Sequence, residues 1–376
     1  MASTPTPLAR RVLSPVVAST GLRHVALGLV GLVVVVVVLT VAGEFRASQF
    51  AAMAYLGIAA GGLTILTGLN GQLSLGHGAF MAIGAYTAAL MLGTESPLPI
   101  PVVLLAAGAV AVLVGFVVGL AAARLHGPYI AGATLALAIA VPGLAIYWGD
   151  TLGGEQGLSV LVPDVPDWFA DAVFFVTATD PSTNRFVAYL AWLVLIVVFV
   201  LLANLSRSRV GRSWRAVRDD EVAAELAGIN LGRARVLAFV VSAACAGLAG
   251  GVMALVVRLT APSGFTLTLS LTLLTAIVLG GLGSLTGALL GAALLTFLPQ
   301  AVTSVGVDLG LSAVQSAELA PLVYGVVMML VILLAPAGLV GSLLGWWRQR
   351  RERPVGEQPD AQPRRAAPSA DASTVH

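Results

Sequence analysis

Asn70, Gln72, Ser74 and His77 stand within eight residues of one another, inside the stretch GLNGQLSLGHGAFMAIGAYTAALM (68–91), which is otherwise almost entirely apolar or glycine. Two amides, a hydroxyl and an imidazole can hydrogen-bond a small polar cargo, or each other. With His77 the only ionisable side chain there, they make no acid–base pair. The second stretch with chemistry in it, RSRVGRSWRAVRDDEVAAELAGINLGRARVLAF (207–239), is dense in both charges. At helical spacing Arg215 and Asp219 are i,i+4 partners, and Trp214, Val217, Val222, Leu226 and Ile229 fall on or near one side. Glu221 and Glu225 are also four apart, and like charges at that spacing disfavour a helix by a few tenths of a kcal/mol. That strain, next to Gly228, points to a cationic partner surface; an amphipathic helix lying on a membrane is the alternative.

The rest of the inventory excludes whole classes of chemistry. All 20 basic residues are arginine. A P-loop needs a lysine at its phosphates and a Schiff base needs an amine, so neither is present. Cys245 is the single cysteine, and His24, His77, His126 and His376 are too scattered for metal-ligand spacing, so no metal or cofactor is expected. The chain is 58% hydrophobic and 10% charged, whereas soluble domains carry about 25% charged residues. It therefore reads as an all-α, polytopic transmembrane bundle.

Apolar runs of roughly 20 residues are long enough to cross a bilayer. Ten candidates lie at about 25–43, 50–68, 75–92, 98–123, 128–147, 186–204, 236–257, 266–281, 286–303 and 319–335, the 266–303 pair being interrupted by Gly and Ser. The first is read as a retained span rather than a signal peptide, since no small-residue cleavage site leads into a soluble domain. Ten spans with the N-terminus inside place 17 of the 20 arginines on the inner side and leave Arg46, Arg185 and Arg258 outside, as the positive-inside rule requires. The expected organisation is an inner N-terminal segment (1–24), a membrane domain (25–341) and an inner tail (342–376) disordered by composition, whose arginines are solvated or touch anionic lipid. The membrane domain carries an acidic outer loop at about 148–185 and an inner loop at about 205–235. No acidic residue falls clearly inside a span, which argues against a proton-coupled transporter; clustered catalytic groups are likewise missing there.

Within the opening stretch, a helix starting at Asn70 puts Gly71, Ser74, Gly78 and Ala85 along one side, where small residues permit a tight crossing. The polar groups cost several kcal/mol in lipid unless satisfied, so they face protein or a water-filled path. They either line that path or satisfy backbone groups at a broken helix. GGLGSLTGALLG (280–291) forms a Gly-interrupted counterpart, with Gly283 and Ser284 at its break and GxxxG steps at 283–287 and 287–291; further steps lie at 57–61, 115–119 and 247–251. Two interrupted short spans in different halves are a mark of transporter binding sites, although no clear internal repeat is visible. Pro142 is expected to kink the span at 128–147.

EVAAELAG (221–228) resembles the EAA coupling loop of ABC importer permeases, the match being carried by Glu221, Ala223, Ala224, Glu225 and Gly228; the family's Leu-Pro ending is absent. GQLSLGHGAFMAIGAYTAAL, GPYIAGATLALA, GGEQGLSVLVP, VLGGLGSLTGALLGAALL and YGVVMMLVILLAPAGLVG, in this order, are similar to segments of branched-chain amino acid ABC permeases, specifically the longer permease subunit of the leucine/isoleucine/valine importer. Ile139 and Ala140 depart from relatives that are often polar or acidic there. The resemblance implies a permease of the type II-like importer kind in a bacterial cytoplasmic membrane, working by alternating access. It also implies a second permease subunit, two ATPase subunits on which ATP is hydrolysed, and an extracytoplasmic substrate-binding protein, with lipid but no nucleic acid as further partners. An importer for urea, short-chain amides or other amino acids shares much of the LSLGHGAF block and stays open as an alternative, with an ion-coupled transporter further off.

Overall fold

In the computed structural model, residues 20–93, 98–125, 129–177, 181–334 and 338–342 are described. The expected N-terminal segment up to residue 19, the tail from 343, His126 and His376 lie outside them. Each of the ten apolar runs corresponds to a helix: α1 (Thr20–Val41), α2 (Glu44–Leu63, continued by a π-helical turn, Thr64–Leu69), α3 (His77–Leu92), α4 (Ile100–Ala122), α5 (Tyr129–Tyr147), α8 (Thr183–Arg207), α11 (Leu231–Val257), α12 (Leu267–Gly280), α13 (Leu285–Asp308) and α14 (Ala313–Leu334). Between them lie the one-turn α6 (Gly149–Leu152), α7 (Asp167–Thr177), α9 (Arg209–Asp219) and α10 (Glu221–Leu226). Among the described residues nine helices are long and apolar enough to span a membrane, while α3 is shorter. The chain is a multi-pass membrane protein. Pro142 sits inside α5 without ending it.

α11 is the axis of the bundle. It packs on α2, α3 and α4; α2 in turn packs on α8 and α13, α13 on α12 and α14, and α1 on α8. Lipid offers helices no hydrophobic incentive to associate, so close backbone approach at small residues has to supply the packing. α3 and α11 meet at Gly84 against the Gly247 backbone and at Gly250 against the Met81 carbonyl, where any Cβ would collide. Of the expected GxxxG steps, Gly115 and Gly119 face Ala243 and Phe239 of α11 nearly as closely, whereas Gly57 and Gly61 receive the side-chain ends of Leu195 and Phe199 of α8. The outward faces of α1, α4 and α14 carry exposed valines and leucines such as Val33, Leu105 and Leu333, a surface suited to lipid.

At one end of the bundle the segment 148–177 folds back on the helices. Leu158 and Ser159 (β1) pair antiparallel with Thr260 and Leu259 (β2), and the Phe169 ring packs edge-on against Phe186 at 5.0 Å and Tyr189 at 5.8 Å. Arg185 pairs with Glu44 at 3.1 Å and donates to the Ala42 carbonyl at 3.1 Å; Arg258 donates to Asn184 Oδ1 at 2.8 Å. Arg46, near the start of α2, belongs to the same end. The three arginines expected on the outer side thus share one end of the molecule.

Candidate functional site

Two of the spans are interrupted, on opposite sides of the bundle. After the π-turn the chain does not begin a helix at Asn70 as the sequence suggested; residues 70–76 are irregular and α3 starts at His77. Gly71, at φ +77°, turns the chain there. His77 Nε2 lies 2.9 Å from the Ala59 carbonyl, ten residues back along the preceding helix, or about 15 Å deep at 1.5 Å per residue. Seven residues reach at most about 23 Å when fully drawn out, so the irregular 70–76 segment is long enough to carry the chain that far into the bundle. α12 is interrupted from the other side, where β2 and a 3₁₀ turn (Pro262–Phe265) lead in from Arg258. The two helix starts meet: Gly78 N donates to Ser270 Oγ at 2.9 Å, and Leu75 N to Thr134 Oγ1 at 3.0 Å. Thr134 and Ser270 are fully buried.

The polar cluster divides. Ser74 Oγ accepts weakly from Gly76 N at 3.4 Å and His77 bonds Ala59, so these two do satisfy backbone at a broken helix. Asn70 and Gln72 do not. Both are buried, and every side-chain nitrogen and oxygen of the two amides is without a partner among the described residues, as is His77 Nδ1. Gly78 is packed at the α3–α12 seam, Gly283 (φ +83°) lies against the Gly68 backbone, and Ser284 caps α13 by accepting from Gly287 N at 3.1 Å.

At the end of the bundle where α9 and α10 sit, the expected single amphipathic helix is two helices with Asp220 between them. Asp220 is extended (φ −159°) and its carboxylate caps α10 by accepting from Ala223 N at 3.0 Å. Trp214 and Val217 are buried, but the break turns Val222 and Leu226 outward, 69% and 86% exposed, while Ala224 is buried beneath them. Trp214 Nε1 donates to the Ala234 carbonyl at 2.9 Å. Arg215 does not pair with Asp219 as its spacing suggested; the neighbouring Arg218 takes that carboxylate through Nε and Nη2 at 3.1 and 2.9 Å, and Arg218 Nη1 donates to the Gly68 carbonyl at 2.7 Å. The Glu221–Glu225 repulsion is relieved from outside the helix. Arg235, 2% exposed, donates to Glu221 at 2.6 Å and to the Leu125 carbonyl at 3.2 Å. Glu225 and Ala223 remain exposed, and Gly228 (φ +83°) ends the turn after α10.

The cluster and the loop, read separately in the sequence, therefore touch through Arg218. Missed there were Thr134, Ser270, Arg218 and Arg235. A hydroxyl alone in an apolar run was the available signal for Thr134; Ser270 is one of five hydroxyls in 266–275 and nothing local singles it out, and for the arginines nothing local distinguishes a buried partner from a solvated one.

Comparison with known proteins agrees with this architecture. The sequence profile of the branched-chain amino acid transport system permease component family matches residues 45–332. The chain is 35% identical over 285 residues to the high-affinity branched-chain amino acid transport system permease protein LivM of Escherichia coli (strain K12), covering 70% of this chain and 66% of that protein. It is 36% identical over 252 residues to LivM of Salmonella typhimurium, covering 62% and 58%. It is 28% identical over 290 residues to LivH of Salmonella typhimurium, covering 74% and 89%. The match thus spans under two thirds of the length of the two LivM proteins. No solved structure matches the chain.

Proposed function

We propose a function from one premise: this chain belongs to the family of permease components of branched-chain amino acid transport systems. It is the membrane-spanning subunit of an ATP-driven importer that moves leucine, isoleucine and valine across the bacterial cytoplasmic membrane by alternating access. The observation that carries the reading is α10. A six-residue helix is held rigidly from below by Ala224, the Asp220 cap and the Arg235–Glu221 pair, and shows Val222, Glu225 and Leu226 to the outside. An apolar pair flanking one unpaired acid suits a groove on a separate ATPase subunit, where burying the two side chains supplies affinity and Glu225 supplies orientation. In this reading Glu221 anchors the helix, and Glu225 meets the partner.

Similarity to both LivM and LivH supports a second, related permease subunit, giving a heterodimer with two ATPases and an extracytoplasmic binding protein. The α9–α10 end then faces the cytoplasm, the end with Arg185 and Arg258 faces outward, and both termini are cytoplasmic. ATP is used by the partner chains; this chain contributes no cofactor site. The path runs along the interrupted spans. A buried amide without a partner costs about 1–3 kcal/mol, which marks Asn70 and Gln72 as groups that find partners in another step of the cycle, cargo or water among them.

Uptake by the four-component assembly in vesicles tests this. Leucine, isoleucine and valine are expected to accumulate only with ATP inside and loaded binding protein outside; uptake driven by an ion gradient without ATPase subunits overturns the mechanism. Uptake of urea or short-chain amides in place of the three amino acids overturns the substrate. Glu221→Arg combined with Glu225→Arg is expected to abolish ATPase assembly and uptake together.

A further inference from the structure

We infer that Arg218 is the residue through which movement of α10 reaches the interrupted entry to α3 and the turn that follows α12. This rests on the assignment of α10 as the ATPase-docking helix. Three observations place Arg218 there. Its Nη1 donates at 2.7 Å to the carbonyl of Gly68, in the π-turn before the irregular 70–76 segment. Its aliphatic stem packs on Gly71, where an added Cβ would lie 2.9 Å from Arg218 Cγ, at the φ +77° turn that opens that segment. Gly68 in turn meets the backbone of Gly283, the φ +83° turn between α12 and α13, so closely that a Cβ on Gly68 would collide with it; a Cβ on Gly283 would stand 3.3 Å from the Gly68 carbonyl and 3.8 Å from Arg218 Nη1. One guanidinium thus adjoins the end of α2, the entry to α3 and the exit of α12.

The other side of the group is held by Asp219, whose Oδ1 alone accepts from both Nε and Nη2 in a half-exposed pair, and the next residue, Asp220, caps α10. A guanidinium is planar, so one oxygen shared between two of its nitrogens biases the direction of the third. Displacing α10 shifts Asp219 and rotates Arg218 against Gly68. That carbonyl belongs to a helix terminus, where acceptors outnumber intrahelical donors and are held by whatever donor is brought to them. Asp219 is therefore an orienting residue for Arg218 rather than a partner of Arg215.

The test is the number of ATP molecules hydrolysed per amino acid imported, measured on the complete four-component transporter in vesicles. Arg218→Ala is expected to lower uptake at least tenfold while the ATPase subunits still co-purify and still hydrolyse ATP, so that the ratio rises about tenfold. Arg218→Lys keeps one donor for Gly68 but loses the two-point grip on Asp219, and is expected to fall between. Asp219→Asn is expected to raise the ratio two- to fivefold. If Arg218→Ala does not accumulate in the membrane, Arg218→Lys and Asp219→Asn decide. An unchanged ratio in those variants, with both rates falling in parallel or neither falling, means that Arg218 only braces the helix end, and the inference is overturned. Failure of the docking assignment is a separate result: there Glu225→Arg leaves ATPase co-purification intact, whatever the Arg218 variants do.

Discussion

The two ends of the bundle each use arginine–glutamate pairing, and they use it differently. Arg185 and Glu44, 21% and 49% exposed, join the starts of α8 and α2 at the rim, with water within reach of both. Arg235 is 2% exposed under Glu221, itself 48% exposed, and its other donor goes to the Leu125 carbonyl, just beyond the end of α4. A rim pair of the first kind is worth about 0–1 kcal/mol. In the second, the cation depends on its carboxylate, because a buried charge stripped of its partner is expensive. One end is tied; the other is clamped. The clamped end is the one holding a helix too short to be stable by itself.

Substitutions separate these regimes. The largest effect is expected for Glu221→Ala, which leaves the Arg235 guanidinium with little beyond the Leu125 carbonyl: a loss of about 2–3 kcal/mol, read as a lower unfolding midpoint in detergent, together with lost ATPase co-purification. Arg235→Met removes the buried charge and leaves Glu221 its water, so a smaller loss of about 1–2 kcal/mol is expected; a loss larger than that of Glu221→Ala would reverse the account of which partner needs the other. Trp214→Phe keeps one aromatic ring but loses the indole's second ring at a fully buried site and strips the donor from the Ala234 carbonyl, costing about 1–2 kcal/mol. Glu44→Gln at the other end should shift the midpoint least, by no more than about 1 kcal/mol, and 0.5 M salt should mimic it in the parent protein. If Glu44→Gln matched Glu221→Ala, the distinction between rim and clamp would be lost.

The sequence announced the ten helices and their small-residue contacts, because apolar run length and GxxxG spacing are local properties. It also located the break before α3, through Gly71, and the turn after α12, through Gly283, but not the interrupted entry to α12 at 258–265. Local spacing misled where long-range geometry decides. Residues 70–76 look helical, yet Thr134, about 60 positions away, takes the N–H of Leu75, and Ser270, about 190 away, takes that of Gly78 in the first turn of α3. Arg215 and Asp219 are correctly spaced for a pair, yet the carbonyl of Gly68 draws in Arg218 and Asp219 follows. Trp214 and Leu226 share a periodicity, but Asp220 spends its carboxylate on capping and divides the helix between them, so one side chain is buried and the other displayed.

Where Gly84 and Gly250 bring α3 and α11 into backbone contact, and Gly115 and Gly119 do nearly the same for α4, no layer of rotatable side chains lies between the helices. Such joints have no lubricant. The three helices must travel as one block through any transport cycle, and the sliding falls to joints padded by leucine and phenylalanine, such as α2 against α8, where Leu195 and Phe199 can change rotamer as the surfaces pass.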